Sequence, residues 1–188
     1  MNAVEVSLEI LRELEGALKT IDPAQTEALV DAIIAANSVF VAGTGRSLLM
    51  IRSLAVRLMQ LGFKAYVVGE TVTPAIGPGD LLIIGSGSGE TGTLVTIAHK
   101  AKKVGAKLGL MTVYADSSIG RLADITVQIK AATTKSDKDS GAKSFQPGAN
   151  MFEQSLLLLC DAITIRLIEV NHIDDSNAKL MRVHANLE

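Results

Sequence analysis

Gly85-Ser-Gly-Ser-Gly-Glu-Thr91 interleaves three glycines with three hydroxyls, directly after the apolar run Leu81–Ile84. An apolar run followed by a polar, glycine-rich turn reads as a buried strand leading into a helix. Such a joint aims backbone N–H groups and the positive end of a helix at one point, which suits a phosphate. Ser86, Ser88 and Thr91 add side-chain donors, while Gly87 and Gly89 leave the backbone open to a ligand. No Gly-Lys-Ser/Thr follows, so a Walker A loop is excluded. The grip suits a small phosphoester better than a triphosphate. A literal GxGxxG at Gly87, Gly89 and Gly92 lacks its dinucleotide context, because Val113 and Tyr114, not an acid, lie about 20 residues on.

A second joint, Gly43-Thr-Gly-Arg-Ser47, follows another short apolar strand. Gly43 and Gly45 open the turn, and Ser47 brings a hydroxyl to a helix start. Arg46 could clamp a ligand oxygen, orient an acid or form a structural ion pair. Glu153 stands in the first turn of a largely apolar helix, where an acid needs a reason to be. Burial there disfavours its ionised form, and the helix N-terminus favours it. Asn150-Met-Phe-Glu153 also reads as a capping box, with Asn150 at N-cap and Glu153 at N3. These residues alone leave base and cap both open. Glu90 either points into the ligand loop or caps the helix after it. His99, His172 and His184 show no metal-ligand spacing. Cys160, the one cysteine, sits in an apolar run as an inert thiol would, and fits a reducing compartment.

The elements that must position these groups alternate along the chain. Strands are predicted over 38–42, 64–68, 80–85, 107–113 and 124–129, with helices over 47–61 and 91–105. A loop with a short helix is expected over Ala115–Leu122, and a polar linker of functional length over Ala131–Ala149. A long helix over 150–171 is apolar on every side at Leu156–Leu159, so the core or a subunit contact must cover it. Val4, Leu8, Leu11, Leu14 and Leu18 mark an amphipathic first helix, and Asp22-Pro23 starts a second. This preface is too short for a DNA-binding module and is expected to pack on the sheet or on another subunit.

Together these features predict one α/β domain over 1–188, a three-layer, doubly wound, five-stranded parallel sheet. A helical preface (about 1–36) and a helical tail (about 174–188) flank it. Hydrophobic residues make up 48% of the chain and aromatics 3%, without Trp, so the core must be aliphatic, as in buried parallel sheets. A net charge of −2 with interspersed signs argues against nucleic acid as partner. No apolar run reaches about 18 residues, so no membrane partner is expected and a cytoplasmic protein is the default.

Four segments carry a family resemblance: Val41-Ala-Gly-Thr-Gly-Arg-Ser47, Ser86-Gly-Ser-Gly-Glu-Thr91, Asn150-Met-Phe-Glu-Gln154 and the tail His184-Ala-Asn-Leu-Glu188. The chain resembles the sugar isomerase (SIS) domain family over nearly its whole length, and within it the 6-phospho-3-hexuloisomerases. The resemblance implies a flavodoxin-like sheet, a homotetramer built from dimers, a small phosphosugar substrate, and no metal or organic cofactor. It implies interconversion of D-arabino-hex-3-ulose 6-phosphate and D-fructose 6-phosphate through an enediol, in the ribulose monophosphate route of formaldehyde fixation and detoxification. By the same resemblance Glu153 is the proton acceptor. Ser47, Ser86, Gly87, Ser88, Gly89, Glu90 and Thr91 hold the substrate, with Gly43, Gly45 and Arg46 in support, and His184 reaches a neighbouring subunit's site. Isomerisation of an arabinose or heptose phosphate, or non-catalytic sensing of a sugar phosphate, are the alternative expectations.

Overall fold

The computed structural model describes residues 1–133 and 140–186. The helical preface is α1 (Ala3–Leu18) and α2 (Pro23–Ala35). Asn2 and Glu5 close a reciprocal capping box on α1, and the Asp22 carboxylate caps α2 beside Pro23. Alternation then begins with β1 (Val39–Gly43), α3 (Gly45–Leu61), β2 (Ala65–Val67), β3 (Leu81–Gly85) and α4 (Gly92–Lys103). It continues through β4 (Lys107–Thr112) and β5 (Ile125–Gln128), and ends with α5 (Asn150–Val170) and α6 (Ser176–Arg182).

The five strands are parallel and ordered β2-β1-β3-β4-β5. Successive residues of β1 and β3 serve opposite faces. Val39, Val41, Leu81 and Ile83 pack with Leu29, Leu54 and Phe152 from α2, α3 and α5. Phe40, Ala42, Leu82 and Ile84 pack with Leu94, Ala98 and Ala101 from α4. Burial on both faces is why these strands are continuously apolar rather than alternating. Chain order reverses between β1 and β3, which pair in register from Val39↔Leu81 to Gly43↔Gly85. The crevice beyond their carboxyl ends is therefore the switch point of the sheet, where open α/β folds bind ligands.

α2 packs on β5, and α1 lies outside it against α5. Leu14 is buried there, but Val4, Leu8 and Leu11 remain exposed, so most of the amphipathic stripe faces outward in a single chain. In α5, Leu156 and Leu159 are buried while Leu158 is exposed. The segment Ala115–Leu122 forms successive turns and not the expected short helix. The Ile119 N–H that a helix would use internally donates instead to Gly89 O at 3.1 Å, tying this segment to the β3–α4 loop. Part of the linker expected over Ala131–Ala149, residues 134–139, lies outside the described residues, as do Leu187 and Glu188 of the tail.

Candidate functional site

Because Gly43 pairs with Gly85, the loops that follow β1 and β3 leave the sheet side by side. They enclose a small recess lined by Thr44 and Ser47 from the first, Ser86, Ser88 and Thr91 from the second, and Thr133. Its remaining wall is α5, through Ala149 and Phe152. Six of these residues carry a hydroxyl, and one surface of the lining is an aromatic ring. The expected ligand loops thus converge on one place.

The Ser86 hydroxyl accepts from Gly89 N at 3.2 Å, and the Ser88 hydroxyl accepts from Glu90 N at 3.2 Å. Each hydroxyl spends a lone pair on the backbone and keeps its hydrogen for an incoming acceptor. Two of the loop's N–H groups are consequently used internally. Those of Gly87, Ser88, Thr91 and Gly92 meet no protein acceptor among the described residues. Thr91 is the N-cap residue of α4 but its hydroxyl makes no cap bond, and it lines the recess instead. The site therefore holds hydroxyls, open amides and a helix N-terminus, and no cation comes from the loop itself.

Behind this loop stands a brace. Thr112, fully buried at the end of β4, donates to Gly87 O at 3.1 Å and accepts from Tyr114 N at 3.2 Å. Val113 N donates to the same carbonyl. Gly89 has φ +62°, and a Cβ there would sit 2.0 Å from Ser117 Oγ, so no other residue fits this turn. Glu90 is not among the lining residues, and its carboxylate accepts from Ser118 N at 2.8 Å, which ties the β3–α4 loop to the segment after β4.

Glu153 follows the lining residue Phe152 in α5, and Arg46 precedes the lining residue Ser47 in α3, but neither Glu153 nor Arg46 itself lines the recess. Glu153 is 3% exposed, and its Oε2 accepts from Arg46 Nε at 2.6 Å. α5 begins at Asn150 with Ala149 at its N-cap and no side-chain cap, so of the two readings left open the Asn150–Glu153 capping box does not form. The carboxylate has turned from its own helix end to a cation on α3, whose charge offsets the cost of burying it. Oε1 takes no hydrogen bond, and both Arg46 Nη groups are likewise unbonded, among the described residues. Ser47, next to Arg46, is buried with its hydroxyl on the recess. The first turn of α3 thus supplies both a lining hydroxyl and the partner of the acid.

His184 follows α6, which packs on α3, and its Nδ1 lies 3.1 Å from Ala185 O. None of the described residues of this tail lines the recess of its own chain. Cys160 is fully buried, and burial, helped by Asp161, pushes its thiol far above the ordinary range, so it stays protonated. Among the described residues no cluster of His, Cys, Asp and Glu could hold a metal ion, and no helix is long and apolar enough to cross a membrane. Thr112, Thr133 and Phe152 were not legible as site residues. Thr112 gave one signal, a hydroxyl at the carboxyl end of an apolar strand beside the switch point.

The SIS domain family model matches residues 32–157. The chain is 40% identical to the 3-hexulose-6-phosphate isomerase of Bacillus subtilis over 188 residues, covering 100% of this chain and 100% of that one. It is 40% identical to the 3-hexulose-6-phosphate isomerase of Mycobacterium gastri, covering 97% of this chain and 90% of that one. A crystal structure from Methanococcus jannaschii, for which a function of 3-hexulose-6-phosphate isomerase was inferred, superposes with a TM-score of 0.84 at 32% identity. That superposition covers 97% of this chain and 99% of the other. The chain belongs to the SIS domain family.

Proposed function

We propose that this member of the SIS domain family is a 3-hexulose-6-phosphate isomerase, converting D-arabino-hex-3-ulose 6-phosphate to D-fructose 6-phosphate and back. Full-length identity to curated isomerases of that name supports the reading. The observation that carries it to chemistry is Glu153, a buried carboxylate held by Arg46, each next in sequence to a residue (Phe152, Ser47) that lines the hydroxyl-rich recess.

The substrate sets a limited task. With the carbonyl at C3 and O6 esterified, O1 or O5 could close only a strained four-membered ring, so the hexulose arrives open-chain and no ring-opening acid is needed. A base takes the proton from C2 to give an enediolate across C2 and C3, the hydroxyl proton passes from O2 to O3, and the carbon proton returns to C3 as the carbonyl forms at C2. In this reading Glu153 Oε1 carries that proton while Oε2 stays on Arg46, and the Arg46 Nη groups face the charge that develops on O2 and O3. Ser86, Ser88 and Thr91 hold the phosphate with their hydroxyl hydrogens and the open amides of Gly87 and Ser88, and Ser47 binds a sugar oxygen. Gly43, Gly45 and Gly89 shape the two turns.

The protein works in the cytoplasm as a homotetramer built from dimers, with His184 of one subunit at a neighbour's site. The exposed stripe Val4, Leu8, Leu11 and the exposed Leu158 support an assembly that covers them. The decisive experiment generates hexulose 6-phosphate in situ and couples fructose 6-phosphate formation to NADPH. Turnover is expected. Tight fructose 6-phosphate binding without turnover would instead identify a non-catalytic sugar-phosphate binder.

A further inference from the structure

Between Ser140 and Gly148 one residue is buried, and it is polar: Gln146. This segment leads directly into α5 and the wall of the recess, yet no apolar side chain anchors it in the core. Its anchor is Glu13 of α1. The Glu13 carboxylate accepts from Ser144 Oγ at 2.7 Å, from Phe145 N at 3.0 Å and from Gln146 Nε2 at 2.9 Å. Ser144 Oγ accepts in turn from Gln146 N at 3.0 Å, closing a compact knot around one carboxylate. Burial opposes the charge on Glu13, but the bonds from Gln146, Ser144 and Phe145 outweigh it and hold the carboxyl below its ordinary range.

The knot is connected to the site by a short stretch of backbone. Gly148 turns the chain at φ +65° into Ala149, which lines the recess and whose carbonyl accepts from Glu153 N at 3.0 Å. Among the described residues Gln146 Oε1 is buried without a partner, and the bond to Glu13 is the one its side chain makes. Without Glu13 the whole amide would be buried and unpaired, and the segment would have to swing outward to hydrate it.

We infer that Glu13 is a positioning residue for the isomerase: it fixes residues 144–149 and thereby the first turn of α5 and the aim of Glu153. The inference rests on the reading of Glu153 as the base. It assigns a role in the site to α1, which lies outside the matched family region of residues 32–157.

The test compares full-length wild type, Glu13→Ala and Glu13→Gln by hydrogen exchange and by steady-state kinetics with fructose 6-phosphate in the reverse direction. In Glu13→Ala, amides of 142–153 exchange at least about tenfold faster while those of Leu81–Gly85 are unchanged, as local opening requires. kcat falls by about ten- to a hundredfold through misalignment of the base, with KM altered far less. Glu13→Gln keeps one acceptor oxygen, enough for Phe145 N, and its NH2 can donate to Ser144 Oγ, so it recovers part of both effects. Unchanged exchange in 142–153, faster exchange with kcat intact, or equal acceleration at Leu81–Gly85 would each overturn the proposal. A wild type without turnover would refute the isomerase reading, while exchange in 142–153, with and without fructose 6-phosphate, would still decide whether Glu13 holds the wall of the site.

Discussion

Arg46 Nε donates to Glu153 Oε2 at 2.6 Å, across 107 residues of sequence, and joins the first turns of α3 and α5. The pair is asymmetric: the Arg46 side chain is 54% exposed and that of Glu153 only 4%. Arg46→Met should therefore do more than remove a surface charge, because it leaves a buried carboxylate uncompensated. Turnover should fall by at least about tenfold through loss of charge stabilisation, with fructose 6-phosphate affinity reduced less. Arg46→Lys, lacking the planar fork, should restore only part of it. Steady-state kinetics beside calorimetric binding would separate the two effects, and unchanged turnover in Arg46→Met would dismiss the pair as structural.

Glu153→Gln retains shape and can still accept from Arg46, but cannot take a proton from carbon. Fructose 6-phosphate binding should survive and turnover should be nearly abolished. Near-normal turnover in this variant would remove Glu153 as the base.

Ser86→Ala and Ser88→Ala should each weaken phosphosugar binding by about 1–3 kcal/mol, because each strands a backbone N–H of the loop as well as losing a ligand contact. Calorimetry with fructose 6-phosphate measures this directly. Unaltered affinity in both variants would move the phosphate elsewhere.

Thr112→Val replaces a buried hydroxyl by a methyl of similar size and does not touch the recess. It takes one of two donors from Gly87 O and the acceptor from Tyr114 N. Unfolding free energy should drop by about 1–3 kcal/mol, with weaker fructose 6-phosphate binding as the loop loses its brace. Equal binding in the variant would show that the brace serves the fold alone.

Acid stability has a definite sign. Desolvation works to raise the Asp124 carboxyl, but bonds from Lys102 and Leu108 N and the charges of Lys102 and Lys107 outweigh it, so the folded value lies below the ordinary one. Its contribution is therefore full above the ordinary carboxylate range and is lost as pH falls through the lowered folded value. The stability difference between wild type and Asp124→Asn, measured by urea unfolding, should be constant near neutrality and shrink below about pH 4. A difference that grows on acidification would contradict this account.

Much of the fold was legible because its signals are local. β1 and β3 are buried on both faces and read as unbroken apolar runs, the glycine loops follow directly, and Asp22-Pro23 marks the start of α2. The positions that resisted reading depend on distant partners. Asn150-Met-Phe-Glu153 satisfies the pattern of a capping box, and only the approach of Arg46 from another helix decides where the carboxylate goes. Glu90 sits in the ligand loop in sequence, and its bond from Ser118 N comes from a segment 28 residues on that no local pattern announces. The α1 stripe shows the opposite limit: periodicity reveals that an apolar face exists, and says nothing about what covers Val4, Leu8 and Leu11.

The register Gly43↔Gly85 has a consequence for the durability of the site. β1 and β3 are neighbours in the middle of the sheet, with β2 outside one and β4 outside the other. The two ligand loops cannot drift apart by fraying at an edge, because separating them requires opening the central pair and both buried faces with it. Such opening costs nearly the full stability of the domain, whereas the wall formed by residues 140–149 can loosen at far smaller cost. The span between the two loops is thus as durable as the fold, and whatever adjustment the site makes to its substrate falls to the α5 side.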